Sequence, residues 1–336
     1  MPDEQMKIDA VFEGGGVKGI GLIGAVAVTE EKGYQFENLA GTSAGAIVAA
    51  LIAAGYKSDK LKQVIENLDY NQFKDKGLID KIPVIGFALS LGFEKGIYEG
   101  EFFENWLRNL LEKAPNKPIH TFRDLRTEYN DQKYQYKLQV IATDVSRGRM
   151  LVLPRDIREY GINPDDLEVA KAVRMSMSIP FFFEPVILKD KNNRDCYIVD
   201  GGVLSNYPVW LFDDKSADPP WPTIGYKLVE PESDKPNNIN GPITLFAALF
   251  STMMDAHDAR YIEDADFVRT VPIPTLGVRT TDFDLSRKQS DNLYESGRNA
   301  AEEFFKYWDF NKYKAQYRQK KPQKRRQKVL ETTRTK

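Results

Sequence analysis

Residues 36–54 read FENLAGTSAGAIVAALIAA: a short stretch, Phe36–Leu39, leads into Gly41-Thr42-Ser43-Ala44-Gly45 and then into the alanine-rich run Ala46–Ala54, which Gly55 stops. Strand, small-residue turn and helix in that order are what a nucleophile elbow requires. The serine takes a sharp turn conformation, small neighbours let the backbone bend, and the helix N-terminus faces the site. A plain turn with Ser43 as a helix cap would use the same residues, so the motif gains its meaning from context.

The same unit occurs once before. Ile8–Phe12 (IDAVF) reads as a buried strand, Glu13-Gly14-Gly15-Gly16 follows it, and Gly19–Val28 is a small-residue helical run. With a later strand at Tyr136–Thr143, these units predict an α/β chain with a central, mostly parallel sheet sandwiched by helices. Leu151–Leu153 and Tyr197–Val199 are further strands, Glu168–Met175 is a helix, and Lys189–Asp195 a polar hairpin turn. Ile243–Arg260 and Arg287–Trp308 read as late helices. Leu78–Gly96 is apolar but interrupted by Pro83, Gly86 and Gly92, and reads as a cap segment. Its core, Ile82–Phe93, is shorter than the ~20 residues that span a bilayer.

Composition narrows the function. A chain of 336 residues, 42% of them hydrophobic, can bury an enzyme-sized core. Lys+Arg 47 against Asp+Glu 49 gives a net charge of -2, which offers nucleic acid no bulk attraction. The balance is uneven. Residues 312–336 carry eleven Lys or Arg and one acid, Glu331, so the expected division is a domain over 1–311 and a flexible basic tail over 312–336. Cys196 is the single cysteine, which excludes an intrachain disulfide and a multi-cysteine zinc site and fits a reducing compartment. The start, MPDEQMKIDAVF, has acids where an export leader needs basic residues, so the expected location is cytoplasmic.

Gly14-Gly15-Gly16-Val17-Lys18-Gly19 fits neither GxGxxG nor GxxxxGK[ST], which argues against a phosphate loop. Consecutive glycine amides beside a serine elbow instead suit an oxyanion hole, although a tight turn alone would also want glycine. His120 and His257 lack any supporting motif for a general base. Asp200, in Val199-Asp200-Gly201-Gly202 at a strand's end, stands where open α/β sheets put their sites. A turn-forming Asp-Gly is its ordinary alternative.

Taken together, GGGVKG at 14–19, GTSAG at 41–45 and DGG at 200–202 resemble the patatin-like phospholipase family in order and spacing. Ala142-Thr143-Asp144, the run Ser176-Met177-Ser178-Ile179-Pro180 with Phe183 and Pro185, and Asn206 with Pro208 extend the resemblance over residues 8–212. It implies Ser43 as nucleophile, Asp200 as its base, Gly14, Gly15 and Gly16 as oxyanion hole, and Lys18, Gly41, Gly45, Gly201 and Gly202 in support. It further implies a phospholipid or other lipid ester as substrate, an acyl-enzyme intermediate, no metal or organic cofactor, and peripheral contact with a membrane. A small-molecule or protein activator is within the family's range. A non-lipid esterase or acyltransferase on the same site, or a catalytically silent signalling module, are the competing readings. DGG stands where many members have DGA, and both forms suit an aspartate on a tight turn.

Overall fold

Alternation along β1 (Met6–Phe12) already divides the molecule. Ile8, Ala10 and Phe12 enter a large apolar core, whereas Val11 enters a small cluster on the other face of the sheet. The computed structural model describes residues 6–66, 100–129, 131–180, 182–213, 218–230 and 264–318 apart from 281, 283 and 284, with scattered positions from 239 to 253. The expected cap segment, and most of the expected helix over 243–260, lie outside the described residues.

Seven further strands complete the sheet: β2 (Tyr34–Thr42), β3 (Leu138–Asp144), β4 (Arg149–Leu153), β5 (Val186–Lys189), β6 (Asp195–Asp200), β7 (Thr223–Val229) and β8 (Thr270–Pro274). Their order is β5-β6-β3-β2-β1-β7-β8, with β4 on β3 off that path. β3, β2, β1, β7 and β8 run parallel; β4 and β6 are antiparallel to β3, and β5 to β6. The central strands are buried on both faces, which is why they read as nearly continuous apolar runs.

The helices that pack on it are α1 (Gly19–Glu31), α2 (Ala44–Ala53), α3 (Ser58–Glu66), α4 (Glu101–Glu112), α5 (Val169–Ser176), α6 (Asp264–Val268), α7 (Arg287–Tyr307) and α8 (Phe310–Tyr313). α1, α2, α4, α5 and α7 contribute to the large core; the other face is closed by Leu211 and Phe212 with Tyr134 and Met150. α1 is buried nearly all round because α7 lies on it at backbone contact. A Cβ on Gly297 would stand 1.9 Å from the Gly21 carbonyl oxygen, so no larger residue fits. α7 itself starts at a capping box, in which the Ser286 amide donates to Gln289 Oε1 at 3.0 Å and the Gln289 amide to Ser286 Oγ at 3.3 Å. No helix among the described residues is long and apolar enough to cross a membrane.

The basic run begins inside the domain. Tyr313 is buried, Lys314 Nζ donates to Asp218 at 2.6 Å, and Arg318 Nη2 donates to Asp213 at 2.8 Å. Asp213 is fixed in turn by Arg269, a fully buried guanidinium that also binds Asp266. Residues 312–318 therefore pack past the boundary expected at 311, because the sequence shows their charge and not the acids waiting for it. A chain ending at Arg318 should be more stable than one ending at Asn311 by about 2–3 kcal/mol, chiefly the buried Tyr313 ring, read as a difference in denaturation midpoint.

Candidate active site

The site follows from how β3 is paired. On one edge β4 covers Val140–Asp144. On the other, β2 pairs in parallel up to Thr42 opposite Ile141, and β6 takes over antiparallel from the far end, finishing with Asp200 opposite Ala142. Two strands thus end head to head on successive residues of β3. The chain leaving β2 begins with Ser43, and the last residue of β6 is Asp200.

Ser43 has φ 52 and ψ -126, a left-handed conformation that a non-glycine residue adopts only under constraint. The constraint is close packing of the elbow on β1. A Cβ on Gly45 would lie 2.3 Å from the Phe12 carbonyl oxygen and 2.5 Å from that of Glu13, and one on Gly41 2.3 Å from the Gly45 carbonyl oxygen. Ser43 therefore sits at the start of α2, buried, with its hydroxyl directed to Met177 Sδ at 3.4 Å. Its amide donates to Ser176 Oγ at 2.8 Å.

Asp200 is fully buried. Its amide donates to the Ser178 carbonyl at 2.9 Å, and its Oδ1 accepts from the Gly202 amide at 2.8 Å. Oδ2 is buried and has no hydrogen-bond partner among the described residues. Burial pushes the carboxyl up from 3.8 to about 7, against the Gly202 amide and the Ser43 hydroxyl, which both favour the carboxylate. Gly201 must be small, since a Cβ there would lie 2.4 Å from the Ile141 carbonyl oxygen.

The glycine loop lies against the elbow: a Cβ on Gly14 would stand 3.1 Å from Ser43 Cβ. Asn206 pins it from behind, accepting the Gly14 amide on its own carbonyl at 3.2 Å and donating Nδ2 to the Gly14 carbonyl at 3.1 Å. That bond occupies the Gly14 amide, so of the three amides expected to form an oxyanion hole, those of Gly15 and Gly16 make no backbone hydrogen bond among the described residues. Gly16 has φ +55, with the Thr280 carbonyl where its Cβ would be. Lys18 is buried beside the loop and binds Glu230 at 2.8 Å.

His120 is far more exposed than a base should be, at 57% of its side chain, with Glu112 4.0 Å away; His257 lies outside the described residues. Among the described residues no group of three or more His, Cys, Asp or Glu side chains could hold a metal ion. Asp144 serves structure: Arg147 at 2.6 Å and Tyr160 at 2.7 Å hold it, and despite burial they keep its pKa below the ordinary value. Sequence reasoning gave no role to Ser176, Ser178 or Asn206. Contacts such as that between Ser43 and Ser176, 133 residues apart, leave no local signature.

Known proteins resemble this chain in sequence and in fold. A family model described as patatin-like phospholipase matches residues 10–213. An uncharacterized protein of Bacillus subtilis, YqhO, is 43% identical over 307 residues, covering 91% of this chain and all of its own length. A probable lipid hydrolase of invertebrate iridescent virus 6, 463L, is 27% identical over 199 residues, 59% of this chain and 61% of the viral protein. VipD from Legionella pneumophila has the same fold, with a TM-score of 0.53 at 19% identity over 90% of this chain and 67% of VipD.

A carboxyl raised from 3.8 to about 7 by burial binds its proton more tightly in the folded than in the unfolded chain. Its contribution to stability is therefore lost as pH rises through that window. Between pH 4 and pH 8, Asp200→Asn should gain about 2–4 kcal/mol on the wild type, measured by urea unfolding at both pH values. A difference that does not change with pH would mean the carboxyl is not perturbed.

Proposed function

The chain belongs to the patatin-like phospholipase family, and on that premise we propose that it is a lipid acyl hydrolase working through a Ser43–Asp200 dyad. The observation that carries the proposal is the orphaned, buried Oδ2 of Asp200 at the head-to-head strand ends beside Ser43. A buried acceptor without a partner is costly unless it has a proton to receive.

In this reading Asp200 takes the Ser43 proton as Oγ attacks the ester carbonyl, and the Gly15 and Gly16 amides donate to the oxygen as it becomes negative. Collapse expels the leaving alcohol, which recovers the proton from Asp200, and leaves an acyl ester on Ser43. Water, deprotonated by Asp200, then attacks that ester, and the acid departs as Ser43 regains its proton. A carboxylate is ordinarily too weak a base for a serine. Burial to a pKa of about 7 moves it toward the working pH, where a base is most effective. The substrate is a phospholipid or related lipid ester, which the family and the name of the viral relative both support. The lysine- and arginine-rich run from residue 312 onward adds attraction to anionic headgroups at a membrane surface, and the protein works from the cytoplasmic side.

Phospholipid vesicles incubated with the wild type should release fatty acid and lysolipid, read by mass spectrometry. Ser43→Ala and Asp200→Ala should each lower the rate by about 10³-fold or more, and His120→Ala should leave most of it. The wild-type kcat/KM should rise about tenfold per pH unit below 7 and level off above, as an essential base of that pKa requires. A folded His120→Ala variant without activity would replace the dyad by a triad. Hydrolysis of soluble esters with no action on vesicles would move the substrate away from lipids.

A further inference from the structure

A residue at φ 52 belongs neither to the strand before it nor to the helix after it, so its amide has no ladder to join. At Ser43 that amide is buried, and the acceptor it finds is the hydroxyl of Ser176, the last residue of α5, 0% exposed and 2.8 Å away. The next residue, Met177, takes the Ser43 hydroxyl on its sulfur at 3.4 Å. The one after, Ser178, accepts the Asp200 amide on its carbonyl at 2.9 Å. Three consecutive residues thus hold the nucleophile by its backbone, the nucleophile by its side chain, and the base by its backbone.

This segment is itself fixed. Ser178 Oγ donates to the Arg174 carbonyl at 2.9 Å and accepts from Arg174 Nη1, and the same buried guanidinium reaches the Glu184 carbonyl at 2.9 Å. The turn leaving α5 therefore has few ways to shift, and whatever it grips is fixed relative to the rest. Ser178 and Met177 reach the site through a carbonyl and a flexible thioether. Ser176 alone of the three holds the elbow backbone through a short, buried side chain.

We infer that Ser176 is a positioning residue: its hydroxyl, accepting the Ser43 amide, sets the elbow at the distance from Asp200 that proton transfer needs. This rests on the Ser43–Asp200 reading. Without the acceptor, the elbow amide is left buried and unpaired, and Ser43 is free to turn toward a less strained conformation that draws Oγ away from the carboxylate.

Three measurements on Ser176→Ala test it. Turnover on a soluble ester should fall about 10–100-fold with KM within about twofold, since the substrate is held elsewhere. A fluorophosphonate probe should label Ser43 more slowly by a similar factor yet reach the same final extent, so the loss is in rate and not in the folded fraction. The pH limb should stay near 7, because Asp200 keeps its burial. Ser176→Thr, which retains the hydroxyl, should recover to within about threefold of wild type; if the added methyl prevents folding, Ser176→Cys, a weaker acceptor of similar size, should fall between alanine and serine. Full turnover in folded Ser176→Ala would overturn the inference. So would a loss that vanishes once rates are divided by the labelled fraction, or one accompanied by a limb moved toward ordinary carboxylate pH, which would mean the site had merely opened. Failure of the wild type to label at Ser43 would instead overturn the dyad reading itself.

Discussion

One edge of β3 has to serve two strands. β2 occupies it as far as Ile141, β6 from Ala142 onward, and neither can lengthen without colliding with the other. Everything distinctive about the site descends from that limit. β2 must leave the sheet abruptly at Thr42, which forces the sharp turn at Ser43 and the close approach of Gly45 to the end of β1. β6 must leave just as abruptly, which places Gly201 against the Ile141 carbonyl and lets the Gly202 amide fold back onto Asp200. Two residues 157 positions apart are thereby brought together by backbone pairing, before any side chain is considered.

The electrostatic character of Asp200 is a second result of the same limit. A strand ending inside the sheet leaves its last side chain enclosed, so the carboxyl loses hydration and gains little in return: one amide, one neighbouring hydroxyl, and an oxygen left over. Asp144, two residues beyond Ala142 on β3 and also buried, shows what the same group becomes when an arginine and a tyrosine serve it; its pKa goes down instead of up. Burial alone does not raise a carboxyl's pKa. Burial with a deficit of partners does.

Glycine made much of this legible in the sequence. Gly16, Gly41, Gly45 and Gly201 stand out within GGGVKG, GTSAG and DGG because the backbone close to each admits no other residue, and a requirement of that kind survives as a readable pattern. The sheet was legible for a related reason, since strands buried on both faces must be apolar throughout. What could not be read were the contacts made by ordinary residues at long range. Ser176 and Asn206 stand out only as matches to a family, with nothing beside them to say what they hold, and the commitment of the Gly14 amide to Asn206 is invisible until both are in place. The contacts of residues 312–318 were hidden for the complementary reason: a run of like charges suggests a solvated tail unless its counter-charges, here Asp213 and Asp218, are known to face it.

The contact of α7 with α1 bears on how such a chain can be made. β1 is the innermost of the parallel strands, flanked by β2 and by β7, and the helix that follows it is covered by a helix ending at residue 307. β1 and α1 thus meet two of their final neighbours, β7 and α7, only after residues 223–307 have been added. Until then the face of α1 that α7 covers, apolar like the rest of the helix, is left open. Growth of the nascent chain must run ahead of closure of the core, and the interval between the two is when this apolar helix is exposed to aggregation or to chaperones.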